Sequence, residues 1–523
     1  MLIEQSLTAK GKNRYITTAI PYVNASPHIG FALEVVQADA LARFCRQQGY
    51  NVRLQAGTDE NSIKNVQAAE AAGIPVADLV EQNAARFFAL KTSLDLSYDD
   101  FIRTSVDERH RRGVERLWKA CFEKGDIYKR AYSGLYCIGC EQFYKPEDLD
   151  DGCCPEHGTK PELIEEENWF FRLSRHEDAL RELYARRQID IVPETRRNEV
   201  LSWIDGGLED FSISRSATRA RGWGIPVPGD PDQVIYVWFD ALGNYVTALG
   251  YGSDDDNLCR WWTQAAAREH VIGKGITHFH AIYWPAMLLS AGLSVPTRIF
   301  VHGYVTVEGR KIGKSAGNAV DPVPLADEFG SGALRYFLLR HIRSTGDGDF
   351  SHGRLRQAYQ SELAGQLGNL VHRVLSMIER YCDRIIPAPP HGFADVDRLL
   401  RAAKQLPKNV AAHLYAFAFD RALDEIWIFV ADANRYVAEE APWDLAKAAM
   451  SHDHEVASAN ASRLHGTLFS LSASLLTIAK CIAPLLPETS RALLQKLGET
   501  DSHCDQVLAG RRIEVGTPLF PKV

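Results

Sequence analysis

The stretch "RYITTAIPYVNASPHIGF", residues 14–31, decides the fold. Arg14 to Ile20 reads as an extended strand, and Ala32 to Leu41 just beyond reads as a helix. A proline, a histidine and a glycine therefore stand where a strand hands over to a helix N-terminus. In an α/β protein that is the best place to hold a phosphate. A bulky Phe31 stands at the mouth of the helix.

Outward from this turn, strand-like and helix-like runs alternate: Arg14–Ile20, Gly30–Gln47, Asn51–Gly57, then an alanine-rich helix from Ile63. Short βα connections of this kind predict a parallel, doubly wound α/β sheet. A cysteine-rich stretch with several turn signals interrupts the pattern around 125–165. Strand-like runs resume at Gln233–Phe239, Glu269–Gly273 and Arg298–Gly303, so the α/β domain is expected to be split by an insert. After about Phe350 the period changes. Leu363, Leu367, Leu370, Val371, Val374, Met377 and Ile378 mark one amphipathic helix, and Leu423, Ile426, Trp427, Val430 and Val437 another. Val456 to Ile482 reads as a third, so the last third of the chain is expected to be a helical bundle.

Bulk properties narrow the class. The chain has 523 residues, is 46% hydrophobic and 24% charged, and carries a net charge of −8. There is no overall basic field, so any RNA contact must be local. The N-terminus lacks the apolar core of a secretory signal, and no uninterrupted apolar run is long enough for a transmembrane helix. Ten cysteines in a chain of this length do not suggest a disulfide scaffold, and a cytoplasmic location is expected.

Three motifs carry chemistry. Cys137-Ile-Gly-Cys140 and Cys153-Cys154-Pro-Glu-His157 have the spacing of two zinc knuckles, thiolate and imidazole being apt ligands for tetrahedral Zn²⁺. The spacing leaves Cys153 and Cys154 both open, with the Cys-Pro-x-His run favouring Cys154. No open coordination position is needed, so such a zinc is structural. In the opening turn, His28 can donate to a phosphate oxygen and Gly30 admits close approach, while the helix adds its N–H groups and positive dipole. Far downstream, Lys311-Ile-Gly313-Lys314-Ser315 sets two lysines three apart in a glycine-rich loop, able to neutralise charge on a leaving pyrophosphate.

Together the turn and the lysine loop resemble the HIGH and KMSKS signatures of class I aminoacyl-tRNA synthetases. Nearly the whole chain is similar to the methionyl-tRNA synthetases, through "TTAIPYVNASPHIG", "QAGTDE", the zinc knuckle, "EENWFFRLS", "DFSISR", "VWFDALGNY", "IGKGITHFHAIYWPAM", "ALRYFLLR", "LGNLVHR" and "NRYVAEEAPW". The resemblance implies a Rossmann-type catalytic domain in two halves, 1–118 and 231–350, a connective insert with the zinc knuckle at 119–230, and an α-helical anticodon-binding domain at 351–523. It implies catalytic roles for His28, Lys311 and Lys314, and ATP contacts from Pro27, His28, Gly30, Phe31, Gly273, Lys311, Lys314 and Ser315. The amino-acid pocket is implied at Ala19, Ile20, Tyr22, Asp59, Trp238, Ala241, Tyr245, Ile276, Phe279 and His280. Asp59 would receive the substrate ammonium, and the aromatic wall would suit a polarizable sulfur. Asn369, Arg373 and Trp443 match anticodon-contacting positions, able to hydrogen-bond base edges and to stack a splayed base. Metal ligands implied are Cys137, Cys140, Cys154 and His157.

The pattern breaks at four places. The second signature histidine is Phe31, which cannot donate a hydrogen bond. The expected "GTDEHG" reads Gly57-Thr-Asp-Glu-Asn61-Ser62, "GKD" reads Gly273-Lys-Gly275, and Gly313 replaces a hydroxyl-bearing residue. These departures fall on the side the family uses for ATP. The leading expectation is an enzyme that uses Mg-ATP to activate L-methionine and load tRNA(Met), a monomer with no membrane association. Two alternatives are a divergent paralogue, activating a methionine-like amino acid or serving as an inhibitor-resistant duplicate, and a tRNA-binding protein whose adenylation has decayed.

Overall fold

The computed structural model describes residues 12–137, 142–155, 158–253, 256–312, 317–499 and 508–522. These fall into two compact units. The first holds the stretch ending at Pro27 together with Gly49–Lys91 and Ser97–His302.

Its centre is a six-stranded, all-parallel sheet. The strands are β1 (Asn13–Thr18), β2 (Asn51–Thr58), β3 (Asp100–Arg103), β4 (Asp190–Val192), β5 (Ala267–Gly273) and β6 (Arg298–His302), in the order β3-β2-β1-β5-β6-β4. The order reverses between β1 and β5, whose registers pair Arg14 with Ala267 and Thr18 with Val271. In an open α/β sheet the carboxyl ends of the strands at such a reversal flank the ligand crevice. Both faces of the sheet are covered, and β1 accordingly buries Tyr15, Ile16, Thr17 and Thr18 alike.

The stretch expected as an insert contains a four-stranded antiparallel sheet built around Ile127–Cys137 and Glu162–Phe171. One expectation is overturned. Gln233–Phe239 is not a single strand of the parallel sheet: Asp230–Ile235 pairs antiparallel in a separate three-stranded sheet, and Val237–Thr247 is a helix. Trp238, Ala241 and Tyr245 recur at helical spacing, and that period wins over the β-branched run before it.

The second unit comprises His28–Gln48, Thr92–Leu96 and the chain from Gly303 onward. It contains the helix that follows the opening turn, Ile29–Gln47, and a three-stranded sheet of Val305–Val307, Arg310–Lys311 and Gly348–Phe350. Beyond these lies the expected bundle, with Asn369–Tyr381, Arg398–Tyr415, Phe419–Glu440 and His454–Ile482 as its long helices. Leu423, Ile426, Val430 and Val437 are wholly buried on one face. Among the described residues one helix, His454–Ile482, is long and apolar enough to cross a membrane, yet 67% of its apolar 18-residue stretch is buried inside the protein. Leu468, Leu475 and Ile478 on it are core residues.

Candidate active site

In the second unit, His28 caps the Ile29–Gln47 helix: its Nδ1 accepts the Gly30 N–H at 3.1 Å. This bond settles the tautomer. With Nδ1 accepting, the ring proton lies on Nε2, and burial lowers the pKa so that the imidazole is neutral. A cap of this kind turns the ring into an N–H donor at the positive end of a helix dipole, a setting suited to a phosphate. Gly30 is required by space, since a Cβ there would fall 2.9 Å from His28 Cε1.

The segment that follows the lysine loop meets the same turn. The Ile29 N–H donates to the Val320 carbonyl at 2.9 Å, and Asn318 Nδ2 donates to the Lys311 carbonyl at 3.1 Å. The exposed Lys311 places Nζ 5.2 Å from the Tyr304 ring centre. Lys314 and Ser315, with Gly313, lie outside the described residues. Pro27, which belongs to the first unit, is buried. Phe31 is half-buried in the first helical turn, its N–H donating to the His28 carbonyl at 3.0 Å.

In the first unit, the expected amino-acid pocket gathers at the carboxyl ends of three adjacent strands. Ala19, Ile20 and Tyr22 follow β1, Asp59 follows β2, and Ile276, Phe279 and His280 follow β5, whose last residue is Gly273, expected on the nucleotide side. The Asp59 N–H donates to the Pro21 carbonyl at 2.8 Å, pairing the two strand exits. Gly57 makes this closeness possible, because a Cβ there would sit 2.4 Å from the Ile102 carbonyl oxygen and 3.0 Å from Ile20 Cγ2. Asp59 is 2% exposed, a burial that strengthens its attraction for an ammonium.

The aromatic wall is ordered by two contacts. Trp238 and Phe279 stack face to face, with centroids 3.8 Å apart and planes 4° apart. Tyr245 and His280 share a hydrogen bond of 2.7 Å between the phenol oxygen and Nε2. His280 Nδ1 lies 2.9 Å from the Ile276 carbonyl, which can only accept, so Nδ1 carries the proton and Nε2 accepts from Tyr245. Burial drives the His280 pKa down to about 4. The wall therefore carries no charge, and Ala241 stands between Trp238 and Tyr245 on their helix. Gly275 is exposed and brings no carboxylate to the end of β5.

In the bundle, Asn369 opens its helix and is exposed, with Arg373 one turn later. The Arg373 guanidinium lies 5.9 Å from the ring centre of Trp443, which is 42% exposed. The structure thus brings two of the three expected RNA-facing residues together, a cation beside an aromatic platform.

For the zinc knuckle, Cys137 and Cys154 are both buried and converge on Thr159: the Cys137 thiol is 3.7 Å from its hydroxyl, and the Cys154 N–H donates to its carbonyl at 2.8 Å. Cys137 ends a strand and the Cys154 thiol faces the Tyr144 hydroxyl at 3.6 Å, both cysteines being of the ligand type that zinc takes. Cys140 and His157 lie outside the described residues, and among the described residues no group of three potential ligands converges.

The family model for class I tRNA synthetases (M) matches residues 14–158 and 139–375. The chain is 42% identical over 516 residues to the methionine–tRNA ligase of Mycobacterium tuberculosis H37Rv, covering 98% of this chain and 96% of that one. This chain belongs to the methionyl-tRNA synthetase family. The methionine–tRNA ligase of Thermotoga maritima is 38% identical over 523 residues, covering 97% of this chain and 80% of the relative. Among solved structures, M. tuberculosis methionyl-tRNA synthetase in complex with methionyl-adenylate matches with a TM-score of 0.91 at 39% identity, covering 98% and 100% of the two chains. The apo form of the same enzyme matches at 0.85.

In this member of the family, sequence reasoning passed over two buried residues, His110 and Asp240, whose side chains meet at the helix bearing Trp238. Asp240 stands inside the "VWFDALGNY" run, so a charged residue amid apolar ones was its one visible signal. His110 carries no local signal.

Proposed function

We propose that this chain is a methionine–tRNA ligase. The observation that carries the reading is that the Trp238–Phe279 stack and the Tyr245–His280 bond join the Val237–Thr247 helix to the segment after β5, while the buried Asp59 carboxylate follows β2 in the same sheet. A thioether chain suits the stacked rings, and an α-ammonium suits the carboxylate.

A carboxylate oxygen of L-methionine attacks the α-phosphorus of Mg-ATP. The bond from that phosphorus to the β-bridging oxygen breaks, and pyrophosphate leaves with the electron pair. A ribose hydroxyl of the terminal adenosine of tRNA(Met) then attacks the acyl carbon. AMP departs, its phosphate taking up the hydroxyl proton. Positioning and charge stabilisation suffice for both steps. His28 donates from Nε2 to phosphate, and Lys311 and Lys314 offset the charge growing on pyrophosphate. Pro27, Gly30, Phe31, Gly273 and Ser315 shape the nucleotide side. Ala19, Ile20, Tyr22, Ala241 and Ile276 complete the methionine pocket. Asn369, Arg373 and Trp443 read the anticodon.

The connective insert, 119–230, would hold a structural zinc through Cys137, Cys140, Cys154 and His157, which supplies cross-linking of its turns and no catalytic step. The catalytic halves are assigned to 1–118 and 231–350, and the anticodon domain to 351–523. The enzyme is proposed to act as a cytoplasmic monomer. Neither alternative, paralogue or decayed binder, is favoured by the comparisons.

The test is methionine-dependent exchange of pyrophosphate into ATP, followed by charging of tRNA(Met). Exchange with L-methionine and charging of that tRNA are expected. Exchange absent at saturating methionine, or supported only by another amino acid, refutes the reading.

A further inference from the structure

Asn61, a departure that the sequence places on the nucleotide side, turns its amide toward the helix that carries Trp238, Ala241 and Tyr245. Its Nδ2 donates to Asp240 Oδ2 at 2.7 Å and to the Thr104 carbonyl at 3.3 Å. Asp240 Oδ1 is engaged by His110 Nε2, and His110 Nδ1 lies 2.8 Å from Thr247 Oγ1. Asp240, His110 and Thr247 are wholly buried. The Val237–Thr247 helix is thus held near its start and at its last residue by side chains from two other segments. That helix carries Trp238, Ala241 and Tyr245, and Asn61 stands two residues after Asp59.

We propose that Asn61, Asp240 and His110 are positioning residues, fixing the span between the Asp59 carboxylate and the Trp238–Ala241–Tyr245 wall and so the fit of the amino acid. The proposal rests on the methionine reading of that pocket. None of the three touches substrate. A buried carboxylate held by donors on two separate elements has its direction fixed in a way that one partner alone does not achieve. The ammonium ligand and the aromatic wall sit on different segments, and the Asn61–Asp240 bond is a direct side-chain tie between those segments.

The test pairs a calorimetric Kd for L-methionine without ATP with the methionine and ATP KM values in pyrophosphate exchange. Asn61→Ala is expected to raise the methionine Kd and KM about tenfold, the scale of one lost hydrogen bond to a charged group, with the ATP KM unmoved. Asn61→Asp combined with Asp240→Asn exchanges donor and acceptor between the two side chains while giving up the bond to the Thr104 carbonyl, and is expected to recover part of the lost methionine affinity. If the alanine variant does not fold, Asn61→Gln, which keeps the amide on a longer arm, carries the same prediction. An unchanged methionine Kd, an equal rise in both KM values, or no rescue by the exchanged pair overturns the proposal. A parent chain that binds no methionine overturns the ligase reading and the proposal with it, an outcome distinct from binding that ignores Asn61.

Discussion

Arg335 Nη2 lies 2.8 Å from Asp39 Oδ2, and both side chains are sealed from solvent. The guanidinium also donates from Nε to the Leu485 carbonyl at 2.8 Å and from Nη1 to the Leu94 carbonyl at 3.0 Å. Asp39 belongs to the helix capped by His28, and Leu485 follows the long His454–Ile482 helix. One side chain therefore ties the Ile29–Gln47 helix to the bundle within the second unit. Arg43 also reaches Asp39 at 2.8 Å, so a cation stays beside the carboxylate when Arg335 is removed.

Stripping one partner from a buried ion pair is more damaging than replacing the whole pair by apolar groups. Arg335→Met is expected to lower the unfolding free energy by about 3 kcal/mol, read as an earlier midpoint in urea. Arg335→Lys keeps the charge but lacks the fork that serves several carbonyls, and it is expected to lose less. An unmoved midpoint in the methionine variant contradicts this account.

Phe31 offers nothing to a phosphate from the first turn of the helix. Phe31→His places a donor one position beyond Gly30, at the same positive helix end as His28. A single transition-state donor contributes on the order of 10²–10³ in rate where it is well aimed. The variant is expected to raise kcat for pyrophosphate exchange at least about tenfold, with the methionine KM unchanged. A flat kcat shows that the turn works without the second imidazole.

The parallel sheet and the bundle are legible because they rest on local period: βα alternation from Arg14 to Gly57, and the apolar i, i+4, i+7 repeat through Leu423, Ile426 and Val430. The helix bearing Trp238 is not. "VIYVWF" is a short apolar run, for which strand and buried helix share one pattern. The three-residue strand Asp190–Val192 is too short to announce itself inside a stretch read as insert. The signature residues of the site are legible as motifs. The His110–Asp240 contact spans 130 positions and leaves no local trace. Asn61 reads as a loss on the nucleotide side because sequence order cannot say which way an amide turns.

Buried imidazoles set the acid limit. His278 and His280 have pKa values lowered by burial from 6.5 to about 4, and that of His270 lies well below 6.5. Above 6.5 these rings are neutral in both folded and unfolded chain and give no pH dependence. As pH falls below 6.5 the unfolded chain takes up protons that the folded chain refuses, so stability drops until the folded pKa is reached. His280 alone then costs roughly 3 kcal/mol across that window. Its Nε2 meanwhile keeps accepting from Tyr245. Thermal midpoints are expected to fall steadily from 6.5 toward 4, while methionine affinity, at temperatures where the chain stays folded, holds nearly level. Affinity that collapses near 6.5 contradicts a neutral His280.

Trp443 separates the two halves of the reaction. It is 42% exposed, with the Arg373 guanidinium 5.9 Å from its ring centre, on a bundle that has its own core. Stacking one base on such a ring is worth about 1–3 kcal/mol, or roughly five- to two-hundredfold in affinity. Because the ring is largely outside the core, its removal does little to folding. Trp443→Ala is therefore expected to raise the KM for tRNA(Met) within that range while methionine-dependent pyrophosphate exchange, which needs no tRNA, stays at the parent rate. Arg373→Ala follows the same direction, and the pair together loses less than the sum if the cation and the ring grip one base. An unchanged tRNA KM in the single Trp443 variant removes the stacking role, and a fall in exchange alongside it points instead to damage carried through the bundle.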